Sequence, residues 1–412
     1  MRVTSKVVPS ISGNVGRIHL NNPAALNSLD IDMVRYVNDI LHSFTSPSPH
    51  NDLGQETSSS KRLKAIIITS NNEKRKAFCA GGDMKRIYMA ALGLNQNSRD
   101  VEAFKMNQHG YGLRGLETAD FLAEEYQMNY TMSQNTSRLY DKQEIPQISI
   151  WDGIVMGGGF GISIHGKYRV ATENSLFAMP ETNIGFYPDV GATFILPKLK
   201  SGIGNYLALT GARLKADDLL FSGLATHYVP SHKIEALIQD LIKTSNESKD
   251  RDVAKDVLSS YHDSSAINLE QCFLATNQCH IEEAFSNKQT IEEIMEFLNA
   301  SETEFAKSTI ETMKKMSPTA MKVTLKSMIE GKRLNDIGEC LKMEFRMGQV
   351  SVRKGKDFYE GIRAALVDKD SNPKWNPSSI IDVTDDIVDQ YFQDLGENEL
   401  KLVDPHANSS KL

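Results

Sequence analysis

Two glycine-rich segments, each placed directly after an apolar run of strand length, constrain the fold of this chain more than any other feature. They are CAGGD at 79–83 and MGGGFG at 156–161. The run LKAIIITS at 63–70 does not alternate with polar residues, which is typical of a strand buried on both faces of a sheet. Because units of strand, turn and helix repeat in this way, the sequence predicts an α/β fold.

The second half of the chain has a mostly helical pattern and no comparable glycine turn. We therefore divide the 412 residues into a core that carries the glycine turns, 1–200, and a helical region packed on it, 201–412. In the core, residues 31–42 have helical spacing, and Ser28 and Asp30 are the two candidate N-caps of that helix.

The composition argues against several classes of protein. The net charge of -7 is unlike that of a nucleic-acid-binding protein, which needs a basic surface. No apolar run is long enough to span a membrane. Four cysteines in a chain this long predict a reducing compartment, and Cys272, Cys279 and His280 fit no zinc spacing and are interpreted as helix packing. We expect no metal site and no redox cofactor.

The segment MPETNIGFYPDVG at 179–191 places two carboxylates, Glu181 and Asp189, among apolar and aromatic side chains. A carboxylate in such surroundings is costly unless it is paired or used in chemistry. Burial and a second carboxylate nearby both raise a carboxyl pKa, so such a pair can divide acid and base work. The alternatives are that Asp189 caps the following helix and that Glu181 pairs with an arginine.

A glycine turn that leads into a helix presents free backbone N–H groups and the positive end of the helix dipole. Two such groups that converge on one point would form an oxyanion hole. The alternative is tight strand–helix packing, for which glycine is also suited. The spacing within 156–161 does not match the dinucleotide pattern GxGxxG, and neither a phosphate loop nor a GxSxG elbow is present.

Together these segments resemble the crotonase superfamily of enoyl-CoA hydratases and isomerases, and most of all its 3-hydroxyisobutyryl-CoA hydrolase branch. The matching stretches include KAFCAGGDM, EEYQMNY, GIVMGGGFG, MPETNIGFYPDVG and GECLKMEFRM, within about residues 14 to 377. The late helical matches and the ending Ser410-Lys411-Leu412, a peroxisomal import signal, are similar to peroxisomal plant-type members. The resemblance implies a spiral of ββα units with a helical C-terminal region.

The resemblance also implies the roles of site residues. The N–H groups of Gly82 and Gly158 would hold the thioester oxygen. Glu181 and Asp189 match the catalytic pair of the hydrolase branch. Glu125, in the EEY motif, would bind substrate together with Gly158 and the catalytic pair.

Three further positions bear on this resemblance. Hydratases of the superfamily carry a second catalytic Glu in a GGGxE pattern, and Gly161 stands at that position here, which favours hydrolysis. Asp152 stands where many relatives have His or Asn, and it adds a negative charge. Arg75 and Lys76 are candidates for binding the CoA phosphates, with ordinary surface charge as the alternative.

The function implied is hydrolysis of 3-hydroxyisobutyryl-CoA to 3-hydroxyisobutyrate and CoA in valine catabolism. The alternatives are an enoyl-CoA hydratase or isomerase, and a non-enzymatic homologue associated with the mitochondrial ribosome. Expected partners are an acyl-CoA substrate and the peroxisomal import receptor, bound through Ser410-Lys411-Leu412; a homo-oligomer is left open. The expected location is the peroxisome, with the mitochondrion as the alternative.

Overall fold

A computed structural model describes residues 3–45, 63–72, 76–91, 117–137, 145–248, 252–354 and 356–405. Arg75 and the sequence Ser410-Lys411-Leu412 lie outside these ranges.

The larger of two β-sheets has six strands in the order β1-β2-β3-β5-β7-β9. Their bounds are β1 Val7–Ser12, β2 Val15–Leu20, β3 Ala65–Ser70, β5 Gln147–Trp151, β7 Tyr168–Ala171 and β9 His227–Tyr228. The β1–β2 pair is antiparallel, and every other neighbouring pair is parallel. A mostly parallel sheet confirms the α/β class predicted from the sequence.

The smaller sheet consists of three parallel strands, β4 Ala77–Cys79, β6 Ile154–Met156 and β8 Leu176–Ala178. In sequence, each follows a strand of the larger sheet, as β3–β4, β5–β6 and β7–β8. Successive units therefore add one strand to each sheet, next to the strands of the unit before. This stacking agrees with the spiral of ββα units that the resemblance implied.

The α-helices surround the sheets and make up most of the chain after β8. Their bounds are α1 Ile31–Thr45, α2 Met84–Ala91, α3 Glu117–Ser137, α4 Gly158–Ile164, α5 Ala192–Ile195, α6 Ile203–Thr210, α7 Ala216–Ser222, α8 Ile234–Glu247, α9 Val253–Tyr261, α10 Phe273–Thr276, α11 Gln278–Phe285, α12 Ile291–Ala300, α13 Glu304–Met313, α14 Pro318–Leu334, α15 Ile337–Lys354, α16 Lys356–Ile362 and α17 Asp385–Asp389. Asp30 caps α1, because its carboxylate accepts a hydrogen bond from the N–H of Met33 at 2.9 Å.

The larger sheet is covered on both faces, which explains the unbroken apolar run of β3. Ile66 and Ile68 pack into the main core, whereas Ala65 and Ile67 pack into a second cluster on the other face. Helices α8 and α9 supply the far side of that second cluster. Alternate side chains of one strand thus point into two separate cores, and both sets must be apolar.

The predicted division of the chain at residue 200 stays a prediction; β9, which pairs with β7, lies beyond that point.

No helix in the described ranges is both long and apolar enough to cross a membrane. The four cysteines are free thiols, and Cys272 and Cys340 are buried in helical packing.

Candidate active site

Three neighbouring parallel strands bring the candidate residues to one edge of the smaller sheet. The CAGGD turn follows β4, the MGGGFG turn follows β6, and Glu181 follows β8 after two intervening residues. Because β4, β6 and β8 are parallel and adjacent, their carboxyl ends share an edge. Segments far apart in sequence therefore meet at one place.

The two glycine turns converge at this edge. A β-carbon placed on Gly158 would lie 3.2 Å from the backbone nitrogen of Gly82. Within the described ranges, neither the N–H of Gly82 nor that of Gly158 donates a hydrogen bond to another residue. Two free amide donors therefore stand side by side, which is the arrangement an oxyanion hole requires.

The first turn is held in place by Leu29. The N–H of Leu29 donates to the carbonyl of Gly81 at 2.8 Å, and the carbonyl of Leu29 accepts from the N–H of Asp83 at 2.9 Å. Gly81 has a φ of +99°, which favours glycine. These two bonds fix the backbone on both sides of Gly82, so its N–H is oriented before any ligand arrives.

Glu181 begins a 3-10 turn, Glu181–Ile184, and its side chain is buried. Its Oε1 would lie 2.9 Å from a β-carbon on Gly157, and its Oε2 has no hydrogen-bond partner among the residues that the structure describes. Burial, and next the charge of Asp189, raise the pKa of Glu181 well above its usual range. Among the described residues Glu181 forms no ion pair, so the alternative of an arginine partner is not observed.

Asp189 is buried and accepts a hydrogen bond from the hydroxyl of Tyr126 at 2.7 Å. Burial raises the pKa of Asp189 to about 7, although the Tyr126 hydroxyl opposes part of this rise. The following helix, α5, has Gly191 as its N-cap and receives no side-chain capping bond from that residue. The side chain of Asp189 therefore binds Tyr126. The alternative in which it caps the following helix is not observed.

The turn after Asp189 adopts an unusual backbone conformation. Val190 has a φ of +55°, which is rare for a β-branched residue, and Gly191 has a φ of +87°. The ring of His165 holds this turn, because its Nε2 donates to the carbonyl of Val190 at 2.8 Å. Burial lowers the pKa of His165 to about 4, so the ring is neutral. Backbone strain of this kind is found where surrounding contacts maintain a functional geometry.

Glu344 of α15 is a residue of this site that sequence analysis did not single out. Its carboxylate accepts from the N–H of Gly191 at 2.8 Å, and from the N–H and hydroxyl of Thr193 at 3.0 and 2.6 Å. Burial, and next the charge of Asp189, raise its pKa to about 8. Glu344 therefore provides the cap that was considered for Asp189. A signal existed in the sequence, since Glu344 lies in the matching stretch GECLKMEFRM at helical spacing, four residues after Cys340.

Replacing Glu344 with leucine should destabilise the protein, because three buried donors lose their acceptor. Each buried donor without a partner costs about 1–3 kcal/mol, so we expect the free energy of unfolding to fall by about 3 kcal/mol or more. Urea unfolding at pH 7 measures this loss. Glu344→Gln, which keeps one acceptor oxygen, should lose less. Equal stability of Glu344→Leu and the unmodified protein would contradict the capping role.

The two adjacent acids of the EEY motif have different environments. Glu124 forms an ion pair with Arg35 of α1, with its oxygens 2.7 and 2.8 Å from Nε. Glu125 is buried, and within the described part of the chain its Oε1 has no hydrogen-bond partner. Burial, followed by the charges of Asp189 and Glu181, raises the pKa of Glu125 well above its usual range. Glu124 thus anchors α3, while Glu125 leaves an unused oxygen in the site.

Comparison with known proteins identifies the family. A family model described as enoyl-CoA hydratase/isomerase matches residues 15–392. This chain belongs to the enoyl-CoA hydratase/isomerase family.

Curated members of the family are similar over almost the whole chain. A protein of Danio rerio named "3-hydroxyisobutyryl-CoA hydrolase, mitochondrial" is 39% identical over 398 residues, which cover 97% of this chain and 92% of that protein. Proteins with the same name in Xenopus tropicalis and Dictyostelium discoideum are 38% and 37% identical. The alignments with these two proteins cover 95% and 97% of this chain, and 89% and 94% of the respective relative.

Solved structures of the family share the fold. A carnitinyl-CoA dehydratase from Mycobacterium thermoresistibile matches with a TM-score of 0.77 and 31% identity, over 97% of this chain and 99% of that chain. An enoyl-CoA hydratase from Rhodobacter sphaeroides matches with a TM-score of 0.75 and 28% identity, over 97% and 100%. The crotonase-type fold expected from the sequence is therefore confirmed.

This member of the family has no room for a side chain at position 161. A β-carbon on Gly161 would lie 2.6 Å from the β-carbon of Val190, which is closer than such atoms approach in proteins. The turn that carries Asp189 thus occupies the space beside Gly161. Gly161, which stands in this sequence where hydratases have their second catalytic Glu, therefore leaves space for the turn that carries Asp189.

Two other positions noted in the sequence lie away from the glycine turns. Lys76 has an exposed side chain and precedes β4, about 10 Å of strand before the CAGGD turn. Its role in binding CoA stays a prediction, as does that of Arg75. Asp152 accepts hydrogen bonds from Asn72, Thr172, Asn174 and Ser231. Burial acts to raise the pKa of Asp152, but these hydrogen bonds lower it overall. The carboxylate of Asp152 is thus held by its own set of hydrogen bonds, apart from the glycine turns.

Within the described ranges, no group of three or more His, Cys, Asp or Glu side chains is arranged to hold a metal ion.

Proposed function

We propose that this protein hydrolyses a short-chain 3-hydroxyacyl-CoA thioester, with 3-hydroxyisobutyryl-CoA, an intermediate of valine catabolism, as the first candidate. The names of the curated relatives support this substrate and this reaction. The observation that carries the proposal is that Glu125, Glu181 and Asp189, all buried with raised pKa values, share one site with two free amide donors. Buried acids without a counter-charge are costly and are characteristic of catalytic sites.

In the proposed reaction, the thioester oxygen lies between the N–H groups of Gly82 and Gly158. Negative charge grows on that oxygen as a nucleophile adds to the carbonyl carbon. Donors that are oriented beforehand stabilise this transition state more than the ground state. The carbon–sulfur bond then breaks, and CoA leaves as a thiolate that takes up a proton.

Glu181 acts by one of two routes. Its carboxylate either attacks the carbonyl carbon to form an anhydride, which water then cleaves, or it removes a proton from an attacking water. Asp189 would position the 3-hydroxyl or take part in proton transfer, and Glu125 would bind the same polar end. A single turnover in ¹⁸O-labelled water identifies the anhydride route if water attacks the anhydride at the Glu181 carboxyl carbon, because this attack labels the protein. Attack at the acyl carbon of the anhydride, like direct attack of water on the thioester, places all label in the released acid.

The hydratase alternative has support from the names of the two solved structures. The crowding of Gly161 by Val190 is the observation against it, because addition of water across a double bond needs a second acid/base group in that space. A non-enzymatic ribosomal role is disfavoured by the retention of both carboxylates and both glycines.

The direct test is a thiol-release assay over a panel of short acyl-CoA and 3-hydroxyacyl-CoA esters, followed with a thiol reagent. We expect release of free CoA, fastest with 3-hydroxyisobutyryl-CoA. Loss of enoyl absorbance from crotonyl-CoA without free thiol would support a hydratase instead. Repeating the assay after dialysis against a chelator tests the expectation that no metal cofactor is needed.

The pH dependence of the reaction should reflect the raised carboxyl pKa values. If ionised Glu181 is the reactive form, kcat/KM should fall as pH decreases, with a midpoint well above the usual range of carboxyls. Burial is the first cause of the raised pKa of Glu181, and the charge of Asp189 is the second. Asp189→Asn removes this charge, so the midpoint of the pH profile of kcat/KM should move to lower pH in the variant, even though the variant reacts more slowly. An unchanged midpoint would contradict this coupling.

Peroxisomal import through Ser410-Lys411-Leu412 remains part of the proposal, while the curated relatives are named as mitochondrial enzymes. Two fluorescent fusions discriminate, one that leaves this tripeptide free at the C-terminus and one that blocks it. Peroxisomal fluorescence that requires the free tripeptide would support import by this signal.

A further inference from the structure

The side chain of Asn129 is buried in the site, and no described residue forms a hydrogen bond with it. It is fully inaccessible to solvent, and within the described ranges neither its amide oxygen nor its amide nitrogen has a hydrogen bond. Buried polar groups almost always have partners, and an amide can both donate and accept. Two unused hydrogen-bonding atoms therefore indicate a ligand or a water that completes this position.

The packing of α3 against α4 places Asn129 next to the proposed oxyanion hole. Glu125 and Asn129 are one helical turn apart on α3, and Gly158 and Gly161 are about one turn apart on α4. A β-carbon on Gly158 would lie 2.5 Å from Oε1 of Glu125, and one on Gly161 would lie 2.9 Å from Nδ2 of Asn129. The two helices therefore pack in register, so that Asn129 lies one turn beyond the amide of Gly158.

We propose that the Asn129 amide binds the 3-hydroxyl of the acyl group and so makes the enzyme specific for 3-hydroxyacyl esters. This inference rests on the proposed function and assigns a specificity residue to it. With the carbonyl oxygen at Gly158, an acyl chain that follows α3 from Glu125 toward Asn129 brings its 3-hydroxyl, a few bonds away, to the Asn129 amide, whereas Val190 fills the space beside Gly161. One helical turn, about 5.4 Å, is a distance that a short acyl group can span.

The chemistry of an amide suits this position. A hydroxyl donates one hydrogen bond and accepts others, and an amide can satisfy both in a fixed geometry. Asn129 is also uncharged, so it adds nothing to the repulsion among Glu125, Glu181 and Asp189. A neutral group allows the hydroxyl to be recognised without further raising the pKa of the carboxylates that the reaction uses.

The test compares two substrates that differ only in the hydroxyl, 3-hydroxyisobutyryl-CoA and isobutyryl-CoA, with the variant Asn129→Leu. Leucine has a similar size but no hydrogen-bonding atoms, so the hydroxyl would be buried without a partner. We expect kcat/KM for the hydroxylated ester to fall about 10–100-fold, and that for isobutyryl-CoA to change by about threefold or less. The preference for the hydroxylated ester should thus be largely lost.

Asn135→Leu is the matched control. Asn135 is also buried on α3, and both of its amide atoms lack partners among the described residues. It lies six residues, or about 9 Å of helix, beyond Asn129, away from Glu125. This variant should keep the substrate preference. Equal losses on both substrates in Asn129→Leu would instead indicate a structural water at Asn129 and would overturn the proposal, as would an unchanged preference.

A binding experiment separates this inference from the proposed function. Calorimetry with the non-hydrolysable thioether analogues of both esters measures the contribution of the hydroxyl without turnover. We expect the hydroxyl to tighten binding to the unmodified protein and to have little effect on binding to Asn129→Leu. Absence of thiol release from every ester would refute the proposed hydrolysis, whereas equal affinities of both analogues for the unmodified protein would refute the role of Asn129.

Discussion

Glu181→Gln should lower kcat for thiol release by about 10²–10⁴-fold, the range by which a positioned acid/base group accelerates reactions. Glutamine keeps the size of the side chain but can neither attack the carbonyl carbon nor accept a proton from water. KM should change less than kcat, because the amide can still occupy the same buried space after β8. Initial rates of thiol release, measured over a range of substrate concentrations up to saturation, give both kcat and KM.

The same variant should be at least as stable as the unmodified protein. The pKa of Glu181 is raised in the folded state, so ionisation of this group opposes folding once pH rises above the pKa of an unfolded glutamate. Glu181→Gln removes this cost at neutral pH but gives no gain below about pH 4, where the unfolded glutamate is also protonated. Urea unfolding at both pH values checks the sign.

Glu173→Gln is the control for this change, because Glu173 is exposed on the loop between β7 and β8. It should retain turnover within about twofold, as surface changes usually do little. If Glu181→Gln kept full activity, the proposed role of this carboxylate would be wrong. If it lost both activity and stability, unfolding would explain the result instead.

Gly158→Ala should lower kcat/KM about 10²–10³-fold, an effect as large as the loss of one oxyanion-hole donor, because the variant keeps its N–H but its new β-carbon blocks the thioester oxygen from reaching it. The added β-carbon would lie 2.5 Å from Oε1 of Glu125 and 3.2 Å from the nitrogen of Gly82. It would therefore occupy the space between the two amides and displace the Glu125 carboxylate. The backbone of Gly158 is within α4, where alanine is acceptable, so the effect should arise from the site and not from helix strain.

Gly338→Ala provides the comparison. Gly338 is a helical glycine of α15, and its added β-carbon would meet Asp336 Oδ1 at 3.2 Å, which requires only a small adjustment of that side chain. We expect normal turnover and equal or greater stability, since alanine favours helices over glycine by about 1 kcal/mol. Equal activity of Gly158→Ala and Gly338→Ala would argue against an amide donor at position 158.

The three buried carboxylates and Glu344 form a group in which the charge of Asp189 acts on the other three. Asp189 contributes to the raised pKa values of Glu125, Glu181 and Glu344. Since like charges at close range are unfavourable in a dry site, these groups are not all ionised at neutral pH. A mixture of protonated and ionised carboxyls provides an acid and a base in the same place, as the proposed hydrolysis requires.

The sequence by itself determined the fold class and the main segments of the site. The apolar run of β3, the two glycine turns and the carboxylates after β8 are local patterns, and local patterns follow from strand and turn chemistry. Glu125 was identified only through the family resemblance, because the hydrophobic pattern of the sequence does not distinguish it from its neighbour Glu124.

Only the tertiary structure decided which groups meet. Glu344 caps the turn after Asp189 from 153 residues away in sequence, and Val190 fills the space beside Gly161 from a neighbouring segment. The Asn129 amide has no hydrogen-bond partner among the described residues, which likewise could be seen only in the folded structure. Such contacts depend on how distant elements pack, and burial without a partner is a property of the assembled core that no stretch of sequence contains.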